Sequence, residues 1–327
     1  MRIGKFYPGE CIQRSMGGFK VLDLFCGIGG FSAGFKDNGF DVTGVDISEK
    51  KGEVYKEFVS PNFIQLDLGV KSIQRRYDVL IGGPPCRPWS SVNLTKRTVE
   101  HRDYHLVQRY VDHVKSIHPR VFIIENVPAL RNDEGFKSQM NLLLDFGYSV
   151  STQIVKYSDY GAATSRRRLV AVGTTEGKAD DFLDNIKKFK RNSLSVENAI
   201  GNLRNNQRGV PRDHVWPDLK TIYKYVKYYK SGKYGWAVLD WNKPAPSFGN
   251  VMKTYILHPD SNPELPNARV VSVLEVSRIM GFNHGFEFPV DMGIGERYQM
   301  LVDSVSPIFS NVLAKETLEY MRQYKFG

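Results

Sequence analysis

The sequence predicts an α/β protein, in which a doubly wound, Rossmann-like sheet is joined to a smaller second domain. Apolar segments with the length of strands alternate with amphipathic segments through the first half of the chain. A glycine-rich turn follows the first apolar segment, and the alternation stops after Gly173. Strands that alternate with crossover helices are typical of a mostly parallel sheet. We therefore expect the sheet early in the chain and a separate unit later.

The individual strands and helices can be placed in order. Gly39 is expected to end the first helix, Ser48 to cap the second, and Gly281 to end a late one. The expected strands are residues 20–25, 42–45, 63–66, 79–81 and 121–125, with a late pair at 150–156 and 168–173. The expected helices are residues 30–38, 48–58, 104–117, 271–280 and 310–324.

The composition of the 327-residue chain is ordinary for a globular protein, with 41% hydrophobic and 24% charged residues. No apolar run approaches the ~20 residues of a membrane span, and the first residues lack the apolar stretch of a signal peptide. The three cysteines are widely spaced, which argues against a disulfide framework and favours a reducing compartment. We therefore expect a cytoplasmic protein with no membrane partner and no metal site.

Positive charge is concentrated in one segment. The formal net charge is +10, and residues 178–235 hold thirteen Lys or Arg against six Asp or Glu. Aromatic residues are interleaved with these basic ones, a pattern suited to phosphate contacts and base stacking. We expect Lys224, Lys227 and Lys230 to contact nucleic-acid phosphates. The alternative is an amphipathic helix at residues 219–230 whose tyrosines form the packed face.

The fourth expected strand runs into a proline-rich loop that contains a cysteine. The loop reads Gly82-Gly83-Pro84-Pro85-Cys86-Arg87-Pro88-Trp89-Ser90. Proline fixes φ and pushes the preceding residue out of helical space, so a stiff loop should project Cys86 at the carboxyl end of the strand. Ligands and chemistry collect at that edge of an α/β sheet. A thiol displayed there without a CxxC partner suits a nucleophile, and the alternative is a buried structural cysteine.

Acidic residues stand at the ends of three successive expected strands. Asp23 precedes a glycine-rich turn at residues 27–30, Asp46 ends the second strand, and Asp67 follows the third. Asp23 would repel a pyrophosphate but could accept from the cationic amine of a methionine. Asp46 could bind ribose hydroxyls and Asp67 an exocyclic amine. Together they predict a nucleoside ligand without a phosphate chain, S-adenosylmethionine, although each acid alone could be a turn or capping residue.

With these residues in place, the chain resembles the cytosine carbon-5 DNA methyltransferase family over most of its length. The matching segments, in order, are residues 23–30, Pro84-Pro85-Cys86, Glu125-Asn126-Val127, Arg166-Arg167-Arg168, residues 269–282 and residues 298–307. The PPC and ENV motifs at this spacing are highly specific. The resemblance implies a methyltransferase sheet with a target-recognition domain. Its expected bounds are 1–175 for the catalytic and cofactor-binding domain, 176–268 for the smaller domain, and 269–327 for the return to the catalytic domain.

The resemblance also implies a reaction. The enzyme would transfer a methyl group from S-adenosylmethionine to carbon 5 of a cytosine flipped out of a short duplex DNA sequence, releasing S-adenosylhomocysteine. Cys86 would attack carbon 6, and a protonated Glu125 would donate to ring nitrogen 3. Arg168 would contact the flipped base and Arg166 the loop or the backbone phosphates. We expect a monomer that acts at the prokaryotic nucleoid within a restriction-modification system.

The remaining site residues implied by the resemblance contact either the cofactor or the DNA. The expected cofactor contacts are Asp23, Phe25 (against the adenine), Gly27, Gly29, Gly30, Asp46, Ile47, Asp67, Leu68, Pro84, Ser304 and Val305. The expected DNA contacts are Arg87, Ser90, Lys224, Lys227, Lys230 and Ser247.

The sequence departs from the family pattern at three places. Thr164 stands where Gln is usual, Val302-Asp303-Ser304 replaces Gly-Asn-Ser, and Arg87 follows Cys86 where many members have Gln. The second change puts the contact to the methionine end of the cofactor in doubt. Two other functions are weighed: a tRNA cytosine-C5 methyltransferase of the same family, and an inactive DNA-binding regulator, against which an intact Cys86 and Glu125 argue. A nicotinamide oxidoreductase would explain neither the PPC loop nor the basic segment.

Overall fold

The computed structural model describes residues 18–85, 103–231, 235–266, 268–282 and 285–325. Within these ranges, seven strands form one sheet in the order β3-β2-β1-β4-β5-β7-β6. The strands are β1 Lys20–Leu24, β2 Asp41–Asp46, β3 Phe63–Gln65, β4 Val79–Gly82, β5 Val121–Asn126, β6 Ser149–Lys156 and β7 Arg167–Thr174. The first five pair in parallel, whereas β7 runs antiparallel between β5 and β6.

Helices cover both faces of this sheet, which confirms the predicted doubly wound α/β fold. The helices of this part are α1 Gly30–Asp37, α2 Glu49–Phe58, α3 Leu106–Ile117, α4 Glu134–Asp145, α5 Ala179–Asn185 and, at the end of the chain, α10 Pro307–Gln323. On one face, Phe35 of α1 and Phe309 of α10 share a core with the sheet. On the other face, Tyr110 of α3 and Phe136 of α4 form a second core with it.

Local capping chemistry was readable from the sequence. The Ser48 hydroxyl accepts from the Lys51 amide at the start of α2, and Gly281 ends a late helix with a left-handed φ of 90°. Helix α4 was not among the expected elements, although Asp133 caps it by accepting from the Phe136 amide at 2.8 Å. The closing helix also starts earlier than the expected residue 310, because Pro307 is well suited to a first helical turn.

A further hydrophobic core joins the later segments of the chain. Its elements are α6 Val196–Ile200, α7 Val226–Ser231, β8 Ala237–Val238, β9 Ile256–Leu257, α8 Val273–Met280 and α9 Ile294–Asp303. Ile200, Leu257, Val273 and Tyr298 are all fully buried in it. Helix α5, in contrast, packs on the large sheet through Phe182. The expected domain bounds at residues 175 and 269 stay a prediction.

Aromatic side chains in the basic segment pack against one another. The Tyr225 and Trp236 rings stack at 4.6 Å, and Tyr229 meets the edge of Trp236 at 5.5 Å. The Tyr229 hydroxyl also donates to the Tyr255 carbonyl oxygen at 3.1 Å. These contacts support the packed-face alternative for both tyrosines, whereas Tyr223 is 59% exposed. None of the helices in the described ranges is long and apolar enough to span a membrane.

Candidate functional site

A cavity of about 550 Å³ opens at the carboxyl ends of β1, β2, β4 and β5. The first residues of antiparallel β7 reach the same edge of the sheet. Ten predicted cofactor residues line the cavity: Asp23, Phe25, Gly27, Asp46, Ile47, Asp67, Leu68, Pro84, Ser304 and Val305. Glu125, Arg166 and Arg168 line it as well. The fold thus brings most of the predicted cofactor residues and three of the four predicted catalytic residues to one site.

Gly29 and Gly30 do not line the cavity, and they are needed for packing. Gly29 has a left-handed φ of 87°, and a Cβ there would lie 2.3 Å from Val59 Cγ2. A Cβ on Gly30 would lie 2.1 Å from Ser304 Oγ and 2.3 Å from the Val305 carbonyl oxygen. Both glycines therefore act through close approach of the backbone, which lets Ser304 and Val305 reach the cavity wall.

Asp23 is a buried acid with one unpartnered oxygen. Its Oδ2 accepts from Ser32 Oγ at 2.7 Å, and Tyr55 donates to that same hydroxyl at 3.0 Å. No hydrogen bond from the described residues reaches Asp23 Oδ1, which is fully buried. Burial raises the pKa of Asp23 to about 8. A cation placed against Oδ1 would compensate the buried charge, so the site fits the ammonium of a methionine.

The other acids of the cavity are held by backbone amides. Asp46 Oδ2 accepts from Gly27 N at 3.0 Å and its Oδ1 accepts from Ser48 N at 2.9 Å. Asp67 Oδ1 accepts from Gly69 N at 2.9 Å. These bonds hold both carboxylates while leaving lone pairs for ligand hydroxyl or amino groups. The three acids therefore supply the acceptors that the amine and ribose hydroxyls of S-adenosylmethionine require.

Phe25 adopts a conformation that is uncommon for an aromatic residue. Its φ is 60°, in the left-handed region that favours glycine, directly before the glycine turn. Strain of this kind persists where surrounding contacts enforce it, and it is frequent at ligand sites. The half-buried Phe25 ring lies on the cavity wall, where it can cover an adenine.

The cavity wall also holds a buried ion pair. Arg168 Nε lies 3.0 Å from Glu125 Oε1, and both side chains are about nine-tenths buried. The Tyr157 hydroxyl donates to the same oxygen at 2.7 Å. Arg168 and Arg166 share one side of β7, whereas Arg167 is exposed. Tyr157 was not among the predicted site residues, because no local pattern indicates that its hydroxyl meets Glu125.

The guanidinium group of Arg166, which directly precedes β7, is hydrogen-bonded to the protein backbone. Its Nη2 donates to the Val302 carbonyl oxygen at 2.5 Å, and the residue is buried. This bond ties β7 to the segment that carries Ser304. The placement favours support of the cavity wall over the predicted contact with loop or phosphates, and that contact stays a prediction.

Asn126 anchors the start of the proline-rich loop. Its Nδ2 donates to the Pro84 carbonyl oxygen at 3.0 Å, and its Oδ1 accepts from Val127 N at 2.8 Å. The loop therefore leaves the sheet next to Glu125. Cys86, Arg87 and Ser90 lie outside the described residues.

The predicted DNA contacts among the described residues are exposed, as phosphate contacts must be. Lys224, Lys227 and Ser247 are exposed, and so is Lys230. Lys230 Nζ forms an ion pair with Glu264 at 2.6 Å, so part of its charge is already compensated. None of these four residues lines the cavity.

Two of the departures from the family pattern have visible surroundings. Thr164 is buried beside Ala245, whose amide donates to the Ala163 carbonyl oxygen at 2.8 Å. Asp303 is exposed at the cavity, and its Oδ1 accepts from Gln299 Nε2 at 2.8 Å.

Comparison with known proteins gives consistent results along most of the chain. A family described as C-5 cytosine-specific DNA methylase matches residues 19–319. The type II methyltransferase M.HgiDI of Herpetosiphon aurantiacus is 27% identical over 318 residues, spanning 93% of this chain and 96% of that protein. M.HindV of Haemophilus influenzae, also a type II methyltransferase, is 30% identical over 210 residues, or 58% of this chain and 68% of that protein.

Two solved structures share the fold. The Entamoeba histolytica methyltransferase EhMeth superposes with a TM-score of 0.71 at 19% identity, covering 94% of this chain and 99% of its own. The S. pombe Dnmt2 methyltransferase superposes with a TM-score of 0.71 at 14% identity, covering 92% of this chain and 99% of its own.

Proposed function

The chain belongs to the C-5 cytosine-specific DNA methylase family and is a DNA cytosine-5-methyltransferase, and on that premise we propose how its own residues act and on what substrate. It uses S-adenosylmethionine to methylate carbon 5 of a cytosine flipped out of a short sequence in duplex DNA. The observation that carries the proposal is the joint cavity of Asp23 and Glu125, with the start of the Cys86 loop on its wall.

The residues divide the work between two ends of the cavity. Asp23, with its free buried oxygen, holds the methionine amine, and Asp46 holds the ribose. S-adenosylmethionine, when bound, supplies an electrophilic methyl group on its sulfonium sulfur. Glu125 holds the cytosine ring at the opposite end, together with Arg168.

Cytosine carbon 5 is a weak nucleophile, so the ring has to be activated first. The Cys86 thiolate forms a bond to carbon 6, and Glu125 gives its proton to ring nitrogen 3. The resulting enamine can accept the methyl group at carbon 5. Once carbon 5 carries the methyl group, ring nitrogen 3 returns its proton to Glu125. Loss of the carbon-5 proton to a base then expels the Cys86 thiolate and restores the aromatic ring. A stacked base cannot reach Cys86, so the cytosine must leave the duplex.

Duplex DNA is the substrate that the charge distribution favours. The exposed lysines of the basic segment suit contacts to a phosphate backbone, which position a duplex without reading its sequence. Relatives named type II methyltransferases support a role in a restriction-modification system. We expect the enzyme to work as a monomer at the nucleoid. The competing substrate is tRNA.

A covalent trap tests this proposal. Methylation of mixed unmethylated DNA, followed by bisulfite sequencing, first identifies the target. A duplex with 5-fluorocytosine at that target should then form an adduct that survives denaturing electrophoresis, only when S-adenosylmethionine is present. Fluorine cannot leave as a cation, so the enzyme stalls after methyl transfer.

The controls separate the alternatives. Cys86→Ser should form no adduct with the same duplex. A tRNA enzyme would trap fluorocytosine-containing tRNA and ignore the DNA, whereas an inactive regulator would trap neither. Methylation at the exocyclic amine would proceed without a trapped species, and this result would reject carbon-5 chemistry.

A further inference from the structure

A hydroxyl donor and a cation converge on one oxygen of the proposed general acid. The Tyr157 hydroxyl lies 2.7 Å from Glu125 Oε1, and Arg168 Nε lies 3.0 Å from the same atom. No hydrogen bond from the described residues reaches Oε2. That second oxygen faces the loop backbone, since a Cβ built on Gly83 would lie 3.7 Å from it. The two oxygens of the carboxyl group therefore have different surroundings.

This asymmetry decides which oxygen can carry a proton. A protonated carboxyl group has one O–H donor, and its other oxygen accepts. A proton on Oε1 would point at the Tyr157 hydroxyl, which already donates to that oxygen, and at the cationic Arg168 guanidinium beside it. A proton on Oε2 meets no such conflict and points toward the cavity, beside the start of the Cys86 loop.

Tyr157 is held firmly enough to impose this arrangement. The residue is fully buried, and its ring stacks on Phe309 of α10 at a centroid distance of 5.1 Å. Its backbone amide donates to the Arg166 carbonyl oxygen at 3.0 Å. Burial raises the pKa of Tyr157 well above its usual range, so the hydroxyl keeps its proton and remains a donor.

We propose that Tyr157 is a positioning residue, which orients the Glu125 carboxyl group so that its proton sits on Oε2 and is aimed at the cytosine ring. This inference rests on the proposed function, because it presupposes that Glu125 protonates a cytosine. Tyr157 itself does not touch the substrate in this arrangement; it acts through Glu125.

The test compares Tyr157→Phe with a matched control, Tyr148→Phe. Tyr148 is also buried, and its hydroxyl donates to the Pro119 carbonyl oxygen at 2.6 Å, at the opposite edge of the sheet. The readout is single-turnover transfer of tritiated methyl groups from S-adenosylmethionine to unmethylated bacteriophage genomic DNA. Tyr157→Phe should slow transfer about tenfold, because a misaligned general acid loses part of its effect. The dissociation constant for S-adenosylmethionine should not change, and Tyr148→Phe should match the wild type.

The pH profile gives a second readout that a purely structural role would not move. A donor to a carboxylate favours the charged form, so its removal should move the alkaline limb of the transfer rate to higher pH. The charged and titratable groups that face Glu125 are Tyr157, Arg166 and Arg168, with Asp23 across the cavity. All but Tyr157 remain in the variant. An unshifted limb, or an equal slowing in Tyr148→Phe, would overturn the proposal.

A double-mutant cycle separates this inference from the proposed function. If Tyr157 acts only through Glu125, adding Tyr157→Phe to Glu125→Gln should cause no further slowing. Equal slowing in both backgrounds contradicts the positioning role and leaves the role of Glu125 intact. A Glu125→Gln enzyme with the wild-type rate contradicts the proposed general acid, and the Tyr157 inference then fails with it.

Discussion

Cofactor binding should be coupled to release of a proton from Asp23. In the free protein, burial raises the pKa of Asp23 to about 8, so at about pH 6.5 nearly every molecule carries a proton there. The methionine ammonium can pair with Asp23 only when that proton leaves. The amine itself keeps its proton at this pH. Binding at about pH 6.5 should therefore release about one proton per S-adenosylmethionine. Below pH 7 the dissociation constant should fall about tenfold for each unit by which the pH rises.

Titration calorimetry in buffers of different ionisation enthalpy measures the proton release directly. Asp23→Asn should bind S-adenosylmethionine with no proton release and with an affinity weaker by about 2 to 3 kcal/mol at pH 8, the usual value of a charge-assisted bond. Asp67→Asn, which changes an exposed acid on the same cavity, should weaken binding and leave the proton release intact. A wild-type enzyme that binds without releasing a proton would refute the assignment of Asp23.

The raised pKa of Asp23 also makes the stability of the free protein depend on pH. The pKa of Asp23 is higher in the folded state than in the unfolded chain, so the folded state binds this proton more tightly. Its contribution to stability is fully present below about pH 4 and is lost as the pH rises through about 8, by on the order of 5 kcal/mol. Asp23→Asn should thus raise the melting temperature strongly at pH 8 and little at pH 4. An equal change at both values would contradict a buried, protonated Asp23.

Three further predictions concern other parts of the molecule. Cys86→Ser should abolish methyl transfer while calorimetry shows unchanged cofactor binding, and substantial residual turnover would contradict its role as nucleophile. Lys224→Ala with Lys227→Ala should reduce the slope of log affinity for DNA against log salt by about 1.8, and an unchanged slope would mean that both lysines face solvent in the complex. Gly30→Ala should lower stability by about 1 to 3 kcal/mol and weaken cofactor binding, since its Cβ would lie 2.1 Å from Ser304 Oγ. Gly249→Ala is the control, with no atom within 4 Å of the added Cβ, and an equal effect of the two changes would argue against the close approach at Gly30.

Much of the fold could be read from the sequence because its determinants are local. Strand and helix periods, the Ser48 cap and the left-handed Gly281 depend on a few neighbouring residues, and each lies where the sequence placed it. The three acids at strand ends were also predictable as neighbours, since parallel strands present their carboxyl ends at one edge of the sheet. The family motifs occur in the expected order along the chain.

The electrostatic state of the site depended on contacts between distant segments. The sequence proposed Asp23 as a ligand for a cation, but the raised pKa and the unpartnered Oδ1 follow from burial by the whole domain. Similarly, Glu125 was a candidate acid, yet only packing brought Tyr157 and Arg168 to the same oxygen. Desolvation and side-chain direction are sums over many neighbours, so no local pattern contains them.

The same reason explains why the surroundings of two side chains could not be derived from the sequence. From the sequence, Tyr225 could be free for base stacking or part of a packed face. In the structure its ring stacks on Trp236, so it belongs to a packed face. Arg166 could have reached toward phosphates, but the Val302 carbonyl oxygen lies within hydrogen-bonding distance of it. The sequence by itself determined which chemical groups are present and at which strand ends they stand. Tertiary structure decided which of them are buried, paired or free, because those properties belong to groups brought together from segments far apart in the chain.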